Sequence, residues 1–275
     1  MAEIKIAGVM RAGAFSPNHI GNDAAIFNIV AEQLRKRGCI VNIFNEEQFI
    51  DGAADGLPVI INMCRELRSI ERLQRLEDAG ALVINSGYGI ENCIRERMAR
   101  IMLGSGLPYP RSWTVNTDEA IRDRLTAAKV TSCWIKRADA HSMHKEDVTY
   151  VRHPEEAQEI LQEYFLRGIK KAVISCHVHG DLVKFYGIAG TNFFYWLFPR
   201  LHGEVPAAFD AAALRSVAER AADLLDVKIY GGDCIVDADG RATIVDFKDW
   251  PSFAPCRSEA ATQIARFIIN QSKKH

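Results

Sequence analysis

Between residues 4 and 85 four short apolar runs alternate with two helical stretches, and that alternation constrains the fold more than any other feature of the chain. Residues 4–10, 39–44, 57–62 and 81–85 read as strands. Asn22 or Asp23 is placed to cap a first helix whose Ile26, Phe27, Val30 and Leu34 share one face, whose Arg35-Lys36-Arg37 suit the negative end of its dipole, and which Gly38 stops. A second helix, 69–79, repeats the pattern with Ile70, Leu73 and Leu76. Strands joined by helical crossovers pair in parallel, so residues 1 to about 85 are predicted to form a small doubly wound α/β lobe.

A helix over 90–105 closes on Gly104, Gly106, Pro108 and Pro110, a breaker cluster that marks a lobe boundary. Beyond it the rhythm changes. A helix at 118–128, a strand at 130–136, a helix from Pro154 to near Gly168 and a strand at 171–178 make a second, α+β block. The remainder holds strands at 181–189 and 193–198, a helix at 207–225, a hairpin and a closing helix at 260–270. The expected class is α/β with α+β lobes.

In the hairpin Asp233 faces Asp246 across the turn signal Asp237-Ala238-Asp239-Gly240. Two carboxylates side by side at the ends of apolar strands suit a divalent cation that carries phosphate oxygens. Lys136 ends an apolar strand, and Lys184 alternates with Val183 and Phe185, so that it projects from the opposite face. The net charge of -1 gives no reason to expect a nucleic-acid partner. Seven cysteines stand singly at 39, 64, 93, 133, 176, 234 and 256 without a C-x-x-C pair, and read as buried thiols in a reducing compartment. The beginning of the chain lacks a signal-like segment and no run approaches a membrane span, so the expected location is cytoplasmic and no membrane partner is expected.

Taken in order, Asn85-Ser86 with Ile90 and Arg95, Gly106-Leu107-Pro108-Tyr109-Pro110, Trp134-Ile135-Lys136, Lys184, Asp233 and Asp246 resemble the ATP-grasp superfamily over most of the chain. The first half is most similar to glutamate-adding and D-alanyl-D-alanine ligases. Residues 139–144 and 184–190 are similar to the ATP-grasp inositol polyphosphate kinases. The resemblance implies three lobes: a pre-ATP-grasp lobe with its linker helix (1–106), a lid lobe (107–178) and a C-terminal metal and phosphate lobe (179–275). ATP would lie between the second and third, with Mg²⁺ bridging its phosphates.

Residue by residue, the resemblance gives Lys136 and Lys184 to the phosphates and makes Asp233 and Asp246 metal ligands. Arg95 stands where relatives carry a lysine; a phosphate contact and, with Arg97 and Arg100, a solvated face are both open readings. Cys176, His177 and Val178 would hold adenine through their backbone, with His177 structural and not a base. Lys248 is a departure, because the family has asparagine there and a charged lysine has no lone pair for Mg²⁺. One metal site is therefore expected to weaken or vanish, with the ammonium standing in for the cation or Asp249 supplying another oxygen. The glycine-rich flap of the ligases is replaced by a cationic lid, in which His144 joins Lys184 and Lys248 as a candidate catalytic group and His141 is a substrate candidate. Arg11, His19 and Arg65 follow strands of the first lobe, where α/β lobes bind ligands, and are candidates for holding the acceptor.

The expected activity is ATP- and Mg²⁺-dependent joining of a carboxylate to an amine through an acyl phosphate, on a small-molecule carboxylate or anionic acceptor. A kinase acting on an anionic polyol and a nucleotide-binding protein with little turnover are the alternatives, and a homodimer is an open assembly state.

Overall fold

A computed structural model describes residues 3–15, 20–139, 145–199 and 207–275. β1 (Lys5–Met10), α1 (Ile20–Arg35), β2 (Ile40–Asn45), α2 (Glu46–Ile50), β3 (Val59–Asn62), α3 (Leu67–Asp78) and β4 (Leu82–Ile84) follow one another along the first lobe. The strands form one parallel sheet in the order β2-β1-β3-β4. β3 is buried at every position, which is why it reads as a continuous apolar run. Two corrections concern helices. Asn22 and Asp23 lie inside α1 and do not cap it, because Asp23 turns back to pair with Arg11. The single helix expected over 90–105 is two, α4 (Gly87–Asn92) and α5 (Arg95–Gly104), parted where Ile94 is extended. Gly89 explains the tight seat of α4, since a Cβ there would lie 2.0 Å from the carbonyl oxygen of Asp226.

The second sheet is antiparallel. It contains β5 (Ser112–Asn116), β6 (Cys133–Arg137), β7 (Val148–Val151) and β8 (Lys171–Cys176) in the order β5-β8-β6-β7. α6 (Arg122–Ala127) and α7 (Ala157–Leu166) cover one face, where Leu125, Leu161 and Tyr164 join Cys133, Ile135, Ala172 and Ile174 in one core. The other face carries Trp134 and Lys136. β5 and β7 were not legible as strands, being short and half polar.

The third sheet, also antiparallel, runs β10-β9-β11-β12, from β9 (Asp181–Ile188), β10 (Phe194–Leu197), β11 (Ile229–Val236) and β12 (Ala242–Asp249). α8 (Ala211–Leu225) backs it and starts at Asp210, whose carboxylate accepts from Ala212 N at 2.8 Å. α9 (Arg257–Ser272) returns to the first lobe and packs along α1, so that Ile264, Ala265 and Ile268 share a core with Phe27, Val30 and Leu34. Asn85 joins the first sheet to the third. Its buried amide accepts from Lys228 N and Ile229 N at 2.9 and 2.8 Å and donates to Ile229 O at 2.7 Å, standing in for a strand neighbour at the start of β11. Among the described residues no helix is long and apolar enough to cross a membrane.

Candidate functional site

Three neighbouring strands of the third sheet place four charges together. Asp233 on β11 is the register partner of Lys184 on β9 and of Asp246 on β12, with a bulge immediately after Asp233. Bulges of this kind re-aim side chains beside sites. Lys184 Nζ lies 2.9 Å from Asp233 Oδ1, and Lys248 Nζ lies 3.4 Å from Asp233 Oδ2 and 3.3 Å from Asp246 Oδ2. The negative charge of Asp233, followed by that of Asp246, holds the Lys248 ammonium well above its ordinary range despite burial. Gly232 permits the close approach of β11 and β12. A Cβ there would meet the carbonyl oxygen of Asp246 at 2.5 Å.

Facing this cluster across a cavity of about 340 Å³ is the second sheet, a volume within the range of small-ligand sites. Trp134, Lys136, Val148 and residues 175–178 line one side; Leu182, Asp233, Ile235, Val245 and Asp246 line the other; Arg95 and Pro110 close it. Polarity changes along the strands. Ile235 pairs with Leu182 two residues from the Asp233 and Lys184 pair, and Trp134 stands two residues from Lys136, so both walls pass from apolar to charged. A planar base suits the first part and phosphates the second. Counted over the cavity and its rim, four cations (Arg95, Lys136, Lys184, Lys248) face two carboxylates (Asp233, Asp246).

Lys136 Nζ donates to Val245 O at 3.0 Å and thereby spans the two sheets. Burial lowers its pKa to about 8, with Asp246 opposing and Arg95 adding to the drop. Arg95 opens α5, is 6% exposed and donates through Nη1 to Arg137 O at 3.4 Å. The solvated-face reading fits its neighbours instead: Arg97 pairs with Glu91, and Arg100 is exposed. At the edge of the cavity Cys176 N donates to Arg111 O and His177 N to Ser132 O, so the main chain there is fixed by the sheet. Trp134 Nε1 donates to His177 Nδ1 at 3.1 Å, which leaves the ring proton on Nε2. Burial, then His179, whose ring centroid is 4.5 Å away, lowers the His177 pKa. His177 is held as a neutral wall residue.

The first-lobe candidates are engaged within the fold. Arg11 pairs with Asp23 at 2.6 Å and donates to Met63 O at 3.2 Å and Trp250 O at 3.5 Å. Arg65 forms a buried ion pair with Asp249 and also donates to Asp249 O at 3.2 Å. Both arginines tie loops of the first sheet to the end of β12. Burial first, then Arg65, lowers the Arg11 pKa. Asp249, weighed above as a metal ligand, is 1% exposed and occupied by Arg65. Beside Arg11 and Asp23 a cavity of about 40 Å³ has room for a few waters at most. His19, His141 and His144 lie outside the described residues.

Sequence reading missed Glu46. It is 1% exposed, and its carboxylate accepts from Ala12 N, Arg65 N and Glu66 N at 2.8, 3.1 and 2.9 Å, holding together the loops after β1 and β3. The signal was the capping box of Asn45 and Gln48, which starts a helix directly at the end of β2.

No protein-family model and no curated protein matches the sequence. Solved structures do match over almost the whole chain. A D-alanine–D-alanine ligase from Bacillus anthracis complexed with ATP superposes with a TM-score of 0.73 at 13% identity, covering 98% of each chain. The ATP-grasp ligase PsnB, complexed with minimal precursor, Mg and ADP, gives 0.66 at 20% identity and 98% coverage of each. The D-cycloserine synthetase DcsG gives 0.66 at 15% identity, covering 96% of this chain and 99% of its own. The chain has the ATP-grasp fold, with an α/β lobe preceding the two sheets that enclose the cavity.

Proposed function

We propose that the protein is an ATP-dependent ligase that activates a carboxylate as an acyl phosphate and transfers the acyl group to an amine. The carrying observation is the cavity between the two antiparallel sheets, apolar toward His177 and lined toward Lys136 by Arg95, Lys136, Asp233 and Asp246, with Lys184 and Lys248 paired to those carboxylates at its rim. Similarity to solved ligases over the whole length supports the same reading. Adenine would lie against Trp134, Leu182 and Ile235 and meet the main chain of residues 176–178. Arg95, Lys136 and Lys184 would neutralise the charge that spreads over the transferring phosphoryl group.

Asp233 and Asp246 fit one Mg²⁺, because their carboxylates are direct cross-strand neighbours on the cavity wall. Bound there, the ion would neutralise phosphate oxygens. Lys248 already contacts both carboxylates and supplies a fixed positive charge in the same place. With one divalent cation, the surplus positive charge of the site is of the order of that of a triphosphate. The loop whose two histidines motivated the polyol-kinase reading lies outside the described residues, and the solved neighbours named above include no kinase.

The test is ADP release from ATP and Mg²⁺ by the purified chain against panels of carboxylates and amines. Turnover that needs both a carboxylate and an amine is expected. Turnover with a polyol alone, or nucleotide binding without turnover on any pair, would contradict the ligase reading.

A further inference from the structure

Cys133 on β6 and Cys176 on β8 are register partners on antiparallel strands. On either side of them the ladder fixes the kind of pair. His177 N donates to Ser132 O, one step outward, and Cys176 N points the other way, to Arg111 O on the β5 side. Positions 133 and 176 therefore form a non-hydrogen-bonded pair, whose Cα atoms stand about 4.5 Å apart with side chains on one face. Disulfides need Cα separations of about 4.4–6.8 Å. Both thiols meet the same core, Cys133 within it and Cys176 packed against it from a half-buried position. Arg111 Nη2 lies 3.8 Å from the Cys176 sulfur and places a cation beside it. Burial first, then Cys176, pushes the Cys133 thiol up to about 11, as expected of two sulfurs in mutual range. Among the described strand pairings no other two cysteines face each other.

We propose that Cys133 and Cys176 are a redox-active dithiol behind the cavity, which closes to a disulfide by exchange with a low-molecular-weight disulfide. Cys176 is the more accessible sulfur; after losing its proton it attacks one sulfur of the incoming disulfide and expels one thiolate. The deprotonated sulfur of Cys133 then displaces the second thiolate from Cys176. Two protein thiols are oxidised, one small disulfide is reduced to two thiols, and the two protons end on those thiols. Closure draws the Cβ atoms from the cross-strand spacing of about 5 Å to about 3.8 Å. The segment that moves is the end of β8 with the two residues after it, 175–178, which line the cavity.

The full chain, incubated with oxidised glutathione, is digested without reduction and mapped by mass spectrometry, with no nucleotide present. A peptide pair linked through 133 and 176, reversed by dithiothreitol, is expected in the wild type. Cys133→Ala should instead accumulate glutathione on Cys176. Affinity for a non-hydrolysable ATP analogue should fall at least tenfold in the linked protein and return to its starting value once dithiothreitol has opened the link. Glutathione resting on Cys176 of the wild type, linkage of another pair, or a linked protein with unchanged affinity would overturn the proposal. Reduced protein that binds no nucleotide would count against the ligase reading, while the peptide map alone would still decide the dithiol.

Discussion

The ammonium of Lys248 lies 3.3 Å from the carboxylate of Asp246, two residues before it on the same face of β12, and within 3.4 Å of Asp233 on β11. A built-in cation thus sits where two carboxylates converge on the cavity wall. Lys248→Asn removes that charge and should tighten divalent-cation binding in the nucleotide complex by about tenfold or more, since unit charges about 4 Å apart interact by several kcal/mol near a protein surface. Titration of Mn²⁺, followed by water-proton relaxation with a non-hydrolysable ATP analogue present, reads this directly. Equal or weaker binding would show that Lys248 does not oppose the metal.

Lys136 gives a pH signature. Its pKa of about 8 lies below the unfolded value of about 10.4, so between these limits the unfolded chain holds more of this lysine's proton and the lysine's own contribution to stability rises with pH, against the opposite slope of buried thiols such as Cys133. Nucleotide phosphates favour the charged form, so binding takes up a proton and affinity should decline as pH rises through 8. Calorimetry in buffers of different ionisation heat measures the uptake. Lys136→Met should abolish it, lower affinity and make stability fall more steeply between pH 8 and 10; an unaltered profile would place the proton elsewhere.

Arg65 separates a structural role from an acceptor-binding one. Arg65→Met removes the buried ion pair between Arg65 and Asp249 and should cost about 3–5 kcal/mol. Adding Asp249→Leu should restore most of that loss. Urea denaturation of the three proteins is the measurement. A single variant of normal stability, with only a raised KM for the acceptor, would instead assign Arg65 to substrate.

Asn85 is the amide that fastens the first sheet to β11. Asn85→Ala strands the backbone groups of Lys228 and Ile229 and should destabilise the fold by about 3 kcal/mol. The expected readout is a lower urea midpoint with an unchanged slope. A loss below about 0.5 kcal/mol would mean that water replaces the amide.

The parts of the site that could be read from sequence are those set by local periodicity. Asp233, Asp246 and Lys184 were placed by the two-residue period of their strands and by the turn at Asp239-Gly240, and the structure makes them neighbours. Lys136 was placed by the apolar strand that it ends. The parallel order of the first sheet followed from alternating strands and helices. What was not legible depends on contacts distant in sequence: α9 returning to α1, Glu46 gathering two loops, Asn85 reaching β11, and Arg11 and Arg65 turning to the end of β12. Arg95 illustrates the difference. Its neighbours Arg97 and Arg100 left a phosphate contact and a solvated face equally open, and the break before α5 places it at the cavity.

The most direct test follows the oxygen atoms of a carboxylate labelled with oxygen-18 during turnover with ATP, Mg²⁺ and an amine. Acyl-phosphate chemistry breaks a carbon–oxygen bond of the substrate, so the inorganic phosphate released should carry one labelled oxygen per product formed. ADP formation with unlabelled phosphate, or with the phosphoryl group retained on the acceptor, would contradict the ligase account.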